Sequence, residues 1–170
     1  MVMRGAIVAA TIAMSVVLIP RALQPPDGTE SWLMFDGVCN LCDGFVNFVA
    51  DGDSARRVRF GAQQRHLELL ARIGAPTDFS TLVLIQGDQF YLYSSAALRT
   101  MAVMDWPWRV LCVFTLVPSP IRDTVYRFVA KHRYQVFGKT EMCRIPTGEF
   151  RKRFLEYEHS EDVSDPILGN

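Results

Sequence analysis

Two cysteines separated by two residues stand in the run Asp36-Gly-Val-Cys39-Asn-Leu-Cys42. At that spacing the sulfurs can bridge if the chain turns into a helix. The first thiol then sits at the helix amino terminus, where unsatisfied backbone N–H groups and the helix dipole stabilise an anion. A thiolate so placed forms below the free-thiol value of about 8.5, and it is the nucleophile of disulfide exchange. The pattern assigns attack to Cys39 and resolution to Cys42, which would displace the mixed disulfide and regenerate the oxidised pair. Asp36 lies three residues before Cys39 and admits two roles that are compatible. It can accept the proton of Cys42 as that thiol attacks, or it can cap backbone N–H groups of the loop and helix. As a like charge beside the sulfurs it opposes the dipole.

The same pair of cysteines could hold zinc, but a closed site takes four ligands, commonly from a second close pair. Cys143 has no Cys or His within four residues, so no metal and no cofactor is expected. Phe35-Asp-Gly-Val38 resembles the strand-end motif of haloacid-dehalogenase-type phosphatases, which need a nucleophilic aspartate where this chain has Met34. Cys143 is read in two ways, as an additional thiol near the pair or, the preferred reading, as a packing thiol. Cys112, in Val110-Leu-Cys-Val-Phe114, reads as a buried small hydrophobe.

The elements around the motif follow from spacing. Trp32-Leu-Met-Phe35 is a short apolar run stopped by Asp36-Gly37, which suits a buried strand. Leu41, Phe45, Val46, Phe48 and Val49 then recur at helical spacing up to Asp51-Gly-Asp53. Val58-Arg-Phe60 predicts a second strand, and Leu67 to Ile73 a helix closed by Gly74. Thr81 to Ile85 and Phe90 to Tyr93 flank Gln86-Gly-Asp-Gln89 as a hairpin. Ser94 or Ser95 is expected to cap the next helix. Residues 108–117 predict a buried helix ended by Pro118 and Pro120. Ile121, Val125, Phe128, Val129 and His132 trace an amphipathic one closing near Gly138, and 149–158 a last short one. A βαβ unit followed by a hairpin and helices gives an α/β fold: a thioredoxin-like mixed sheet flanked by helices, with additional carboxy-terminal helices.

At 170 residues, about half of them hydrophobic, the chain fits one ordinary domain with its own core. Lys plus Arg equals Asp plus Glu, 18 against 18, which argues against nucleic acid as a partner. Four cysteines are too few for a disulfide scaffold. Residues 6–19 are apolar, preceded by Arg4 and followed by Pro20-Arg21, a length nearer to a signal segment than to a span of roughly 20 residues. The expectation is a targeting or anchor segment over 1–22, a linker over 23–30, the redox domain over 31–147, and a short helix with an acidic tail over 148–170. Membrane association through 6–19 or organelle targeting is weighed against a cytoplasmic location.

Beyond the motif, separated segments resemble one family. Asp36-Gly-Val-Cys39-Asn-Leu-Cys42 is similar to the signature of the DCC family of thiol–disulfide oxidoreductases, named for its Asp-x-x-Cys-x-x-Cys pattern. Tyr93-Ser-Ser-Ala-Ala97, Pro118 to Tyr126, Ala130-Lys-His-Arg-Tyr134, Phe137-Gly138 and Cys143-Arg-Ile-Pro146 resemble its later segments. His132 departs from the Asn more usual before Arg-Tyr, and reads as exposed or capping. The resemblance implies a thioredoxin-like fold and exchange of a Cys39–Cys42 disulfide with a protein or small-molecule thiol. Thioredoxin relatives place a cis-proline beside that pair. Pro76 is the nearest candidate and is expected to be trans. The rival reading is non-enzymatic: a redox-sensing or protein-binding module. Trp106, Trp108 and the 108–117 segment could dock a partner there, although burial of these residues is expected.

Overall fold

The structure is a computed structural model and describes residues 22–25, 30–139 and 148–157. The apolar 6–19 segment, Cys143 and the acidic tail lie outside the described residues.

Four strands form one mixed sheet in the order β2-β1-β3-β4. β1 (Ser31–Phe35) pairs in parallel with β2 (Val58–Ala62), Leu33 opposite Phe60, through a crossover that contains α1 (Asn40–Asp51). On its other side β1 pairs antiparallel with β3 (Val83–Gln86), Leu33 opposite Leu84. β3 returns as β4 (Gln89–Leu92) through Gly87-Asp88, and Gly87 takes φ +63, a backbone open to glycine at little cost. The predicted thioredoxin-like arrangement is the one observed. After Ser31, β1 is apolar to its end because both faces are covered. Leu33 and Phe35 face α1 and α3 (Tyr93–Val103), among Val46, Val49, Phe60, Leu84 and Ala96. Met34 faces α2 (Leu67–Arg72) with Leu70 and Val83.

Five expectations change. The serines do not cap α3, since Ser94 and Ser95 lie inside its first turn. Thr81 Oγ1 accepts from Tyr93 N at 2.8 Å, and Asp123, from a later helix, accepts from Ser94 N at 3.3 Å. The cap is thus supplied from elsewhere in the fold. Residues Trp108–Leu116 form a 3-10 segment rather than a buried helix. Three residues per turn leave Cys112 on the inner side, buried as expected, while Phe114 and Leu116 are exposed. Trp106 and Trp108 are exposed too, Trp106 at 68%.

The long helix α4 (Ser119–Phe137), ended by Gly138, turns its apolar stripe outward. Ile121, Val125, Phe128, Val129 and Val136 are exposed, and Arg133 is the buried residue. Hydrogen bonds decide this orientation: Arg122, Asp123, Tyr126 and Arg133 all bond inward. His132 is half-buried on α4, its Nδ1 2.8 Å from Phe128 O. The last expected helix is two short pieces, α5 (Gly148–Arg151) and a 3-10 turn at Leu155–Tyr157. Between them Phe154 packs on Phe60 and Phe35. Pro76 is trans. Among the described residues no helix is long and apolar enough to cross a membrane.

Candidate active site

The loop from Gly37 to Cys39 connects the carboxy end of β1 to the amino end of α1. Cys39 is the N-cap residue, extended at φ −96 and ψ 115, and its Sγ accepts the backbone N–H of Cys42 at 3.4 Å. A sulfur thus occupies the place a Ser or Asp oxygen usually takes at a helix start. Both cysteines are free thiols. The hydrogen bond from the Cys42 side chain, the Cys42 backbone N–H and the charge of Arg133 outweigh burial and the Asp36 charge, and lower the Cys39 thiol to about 6. The same pairing raises Cys42, because its proton is held on the Cys39 sulfur and burial opposes a second thiolate. One thiol is poised as an anion and its neighbour as the proton carrier.

Asp36, only 2% exposed, is the hub behind the pair. Its Oδ2 accepts from Arg133 Nη2 at 2.9 Å and from the Tyr134 hydroxyl in a short hydrogen bond. Its Oδ1 accepts from Gln64 Nε2 at 2.8 Å and from Val38 N at 3.3 Å, and Gln64 Oε1 in turn takes Gly37 N at 3.1 Å. Arg133 also donates to Phe79 O at 2.6 Å and Ser80 O at 3.2 Å, in the loop that leads to β3. Phe79 stands at φ +58, uncommon for a residue with a side chain. Tyr134 is raised by burial and by its bond to Asp36, so it stays a neutral donor.

Cys39 itself is 1% exposed. The end of α4 lies over it: Asn40 Nδ2 donates to Phe137 O at 2.9 Å, and the backbones of Cys39 and Lys139 form a β-bridge. Gly138, at φ +78, makes the turn, and a Cβ there would stand 3.3 Å from Asn40 Nδ2.

Asp36, Cys39 and Cys42 therefore share one short loop and helix start, while Cys143 lies outside the described residues. Arg133, Tyr134 and Gln64 escaped the sequence reading. Only the segment Ala130-Lys-His-Arg-Tyr134 carried a signal for the first two; Gln64 carried none. Among the described residues no three His, Cys, Asp or Glu side chains gather to hold a metal ion.

The profile of the DCC1-like thiol-disulfide oxidoreductase family matches residues 33–139, which take in the last three residues of β1, the cysteine pair and the whole of α4. The chain belongs to this family. Two relatives are 43% identical to it. One is the uncharacterized protein YuxK of Bacillus subtilis, aligned over 72% of this chain and 92% of its own length. The other is a chloroplastic DCC family protein of Arabidopsis thaliana, aligned over 66% of this chain and 68% of its own. No solved structure matches the chain. The matched range of the DCC1-like family includes Asp36, Gln64, Arg133 and Tyr134 together with both cysteines.

Proposed function

We propose that the protein is a thiol–disulfide oxidoreductase in which Cys39 attacks, Cys42 resolves, and Asp36 positions the loop and takes the Cys42 proton. The observation that carries this reading is the Cys39 sulfur at the N-cap of α1, hydrogen-bonded by Cys42 and lowered to about 6. The Cys39 thiolate attacks one sulfur of a substrate disulfide. The substrate S–S bond breaks, and the other sulfur leaves with the electron pair and takes a proton from water. Cys42 then attacks Cys39 Sγ as its proton passes to Asp36, and the second substrate thiolate departs. The substrate gains two electrons and the pair loses two; run in reverse, the same steps oxidise a substrate dithiol. Arg133 supports the anion at Cys39, and with Tyr134 and Gln64 it holds Asp36 in place.

The substrate in this reading is a protein or a small thiol. Residues 31–147 act as one redox domain and 148–170 as its appendage. The chloroplast named for one relative, together with the apolar 6–19 run, supports targeting to an organelle or membrane. A second reading, a redox sensor without turnover, is favoured by the burial of Cys39. Insulin reduction separates the two. The oxidoreductase reading expects turnover by the wild type and none by Cys39→Ser. It also expects a stable mixed disulfide on Cys39 in a Cys42→Ser variant. A wild type inert in both directions, reduction and dithiol oxidation, contradicts it.

A further inference from the structure

Apolar space lies behind the redox pair. A cavity of about 260 Å³ opens between α1, α3 and α4. Its wall includes Leu41, Cys42 and Phe45 of α1, Met101 of α3, Val129 of α4, and Leu82 from the loop before β3. Pockets for drug-sized ligands start at roughly 300 Å³, so this one suits a single side chain and is too small for a nucleotide cofactor. Arg133 is the one charged residue among those lining it, and its Nη atoms are committed to Asp36, Phe79 O and Ser80 O. Only the buried Nε of Arg133 is without a partner, so the wall presents a single N–H and no free guanidinium fork to grip the carboxylates of a small charged thiol. Leu82 N donates to the Tyr126 hydroxyl at 3.0 Å, so the backbone at the foot of β3 is not open to an added strand. Recognition at this place falls to a side chain. At the rim, Val129 is exposed, and Val125 and Phe128 on the same helix carry the apolar surface outward.

We propose that this cavity is a specificity pocket for one apolar side chain of a polypeptide substrate. That side chain belongs to a residue flanking the substrate's reactive cysteine, with the next residues lying over Val125 and Phe128. The proposal rests on the redox reading of Cys39 and Cys42. It adds the substrate class: a protein with an apolar residue beside its disulfide, in preference to glutathione-like charged thiols.

The test uses the full chain and two disulfide-bonded peptides that differ only in the flanking residue, Leu or Ala. The wild type is expected to favour the Leu peptide in kcat/KM by about tenfold or more. Ala130→Phe, which fills the cavity, and Val129→Asp, which charges its mouth, are each expected to bring the ratio to about one by the same bookkeeping. Melting curves show whether either variant is folded, and the surface position of Val129 keeps one variant usable if overpacking unfolds the other. Binding of the Leu peptide with serine in place of its cysteine, followed by fluorescence, reads the pocket without turnover. Tight wild-type binding lost in Val129→Asp upholds the pocket even if the redox reading fails. Equal rates for the two peptides, a Leu preference that survives both variants, or displacement of the peptide by a small apolar disulfide at equal concentration overturns the proposal.

Discussion

Cys39 carries the chemistry through its place at a helix start, and a pH profile reads that place directly. Alkylation of Cys39, followed by peptide mass spectrometry, is expected to rise with a midpoint near 6 instead of the free-thiol value of about 8.5. Cys42→Ala removes the largest cause of the shift, the side-chain hydrogen bond, so the midpoint moves up. The same shift affects stability. A thiol that ionises lower in the folded chain than in the unfolded one adds stability to the reduced form as pH rises from about 6 to about 8.5, and loses it on acidification. Cys42, raised by the pairing, acts in the opposite sense above about 8.5. Arg133→Gln is expected to raise the Cys39 midpoint, since its charge favours both thiolates. It also leaves Asp36 buried without its cation, which costs about 3–5 kcal/mol in urea denaturation. The cysteines and Asp36 were legible because their types and spacing are local. Arg133 was not, because a cation 97 residues from its partner in sequence leaves no local pattern.

At the scale of elements, α4 is the part that sequence periodicity misread. The apolar residues Ile121, Val125, Phe128 and Val129 have helical spacing and predict an inner face, yet they are exposed. The inner face is made by polar groups that bond to other elements: Arg122 to Ser94 and Ser95, Tyr126 to Leu82, Arg133 to Asp36. Apolar spacing shows that a helix has two faces but not which one packs when the other can satisfy buried polar groups. The strands and the Gly87 hairpin were legible for the opposite reason, since pairing and burial there agree with local pattern. The carboxy end of α4 also screens Cys39, and Gly138→Ala tests that role. Alanine is strained at φ +78 and crowds Asn40, so the turn should loosen by about 1 kcal/mol and Cys39 should alkylate several-fold faster. An unchanged rate means that this end does not limit access.

For the whole molecule, the described carboxy-terminal segment is fastened to the sheet by one buried ion pair. Arg153 Nη2 bonds Asp53 Oδ2 at 2.7 Å and also donates to Val58 O, while Phe154 fills the space against Phe35 and Phe60. Arg153→Met is expected to lower unfolding free energy by about 1–3 kcal/mol, because buried Asp53 loses its closest cation and keeps only the part-exposed Arg57 and the Val58 N–H. Asp53→Asn combined with Arg153→Met should recover much of that loss in the same chemical denaturation. This fastening acts on stability and leaves the cysteine loop untouched, so the variant's Cys39 midpoint should stay near 6. The central claim, that Cys39 and Cys42 form a redox pair, is tested most directly by equilibrating the full chain in glutathione buffers of graded potential. Acid quenching, alkylation and peptide mapping then show which cysteines have lost their hydrogens. The expected result is a single two-electron transition confined to the peptide carrying both residues and absent from Cys39→Ser. If both cysteines remain open to alkylation in the most oxidising buffer, the pair is not a redox couple and the account is contradicted.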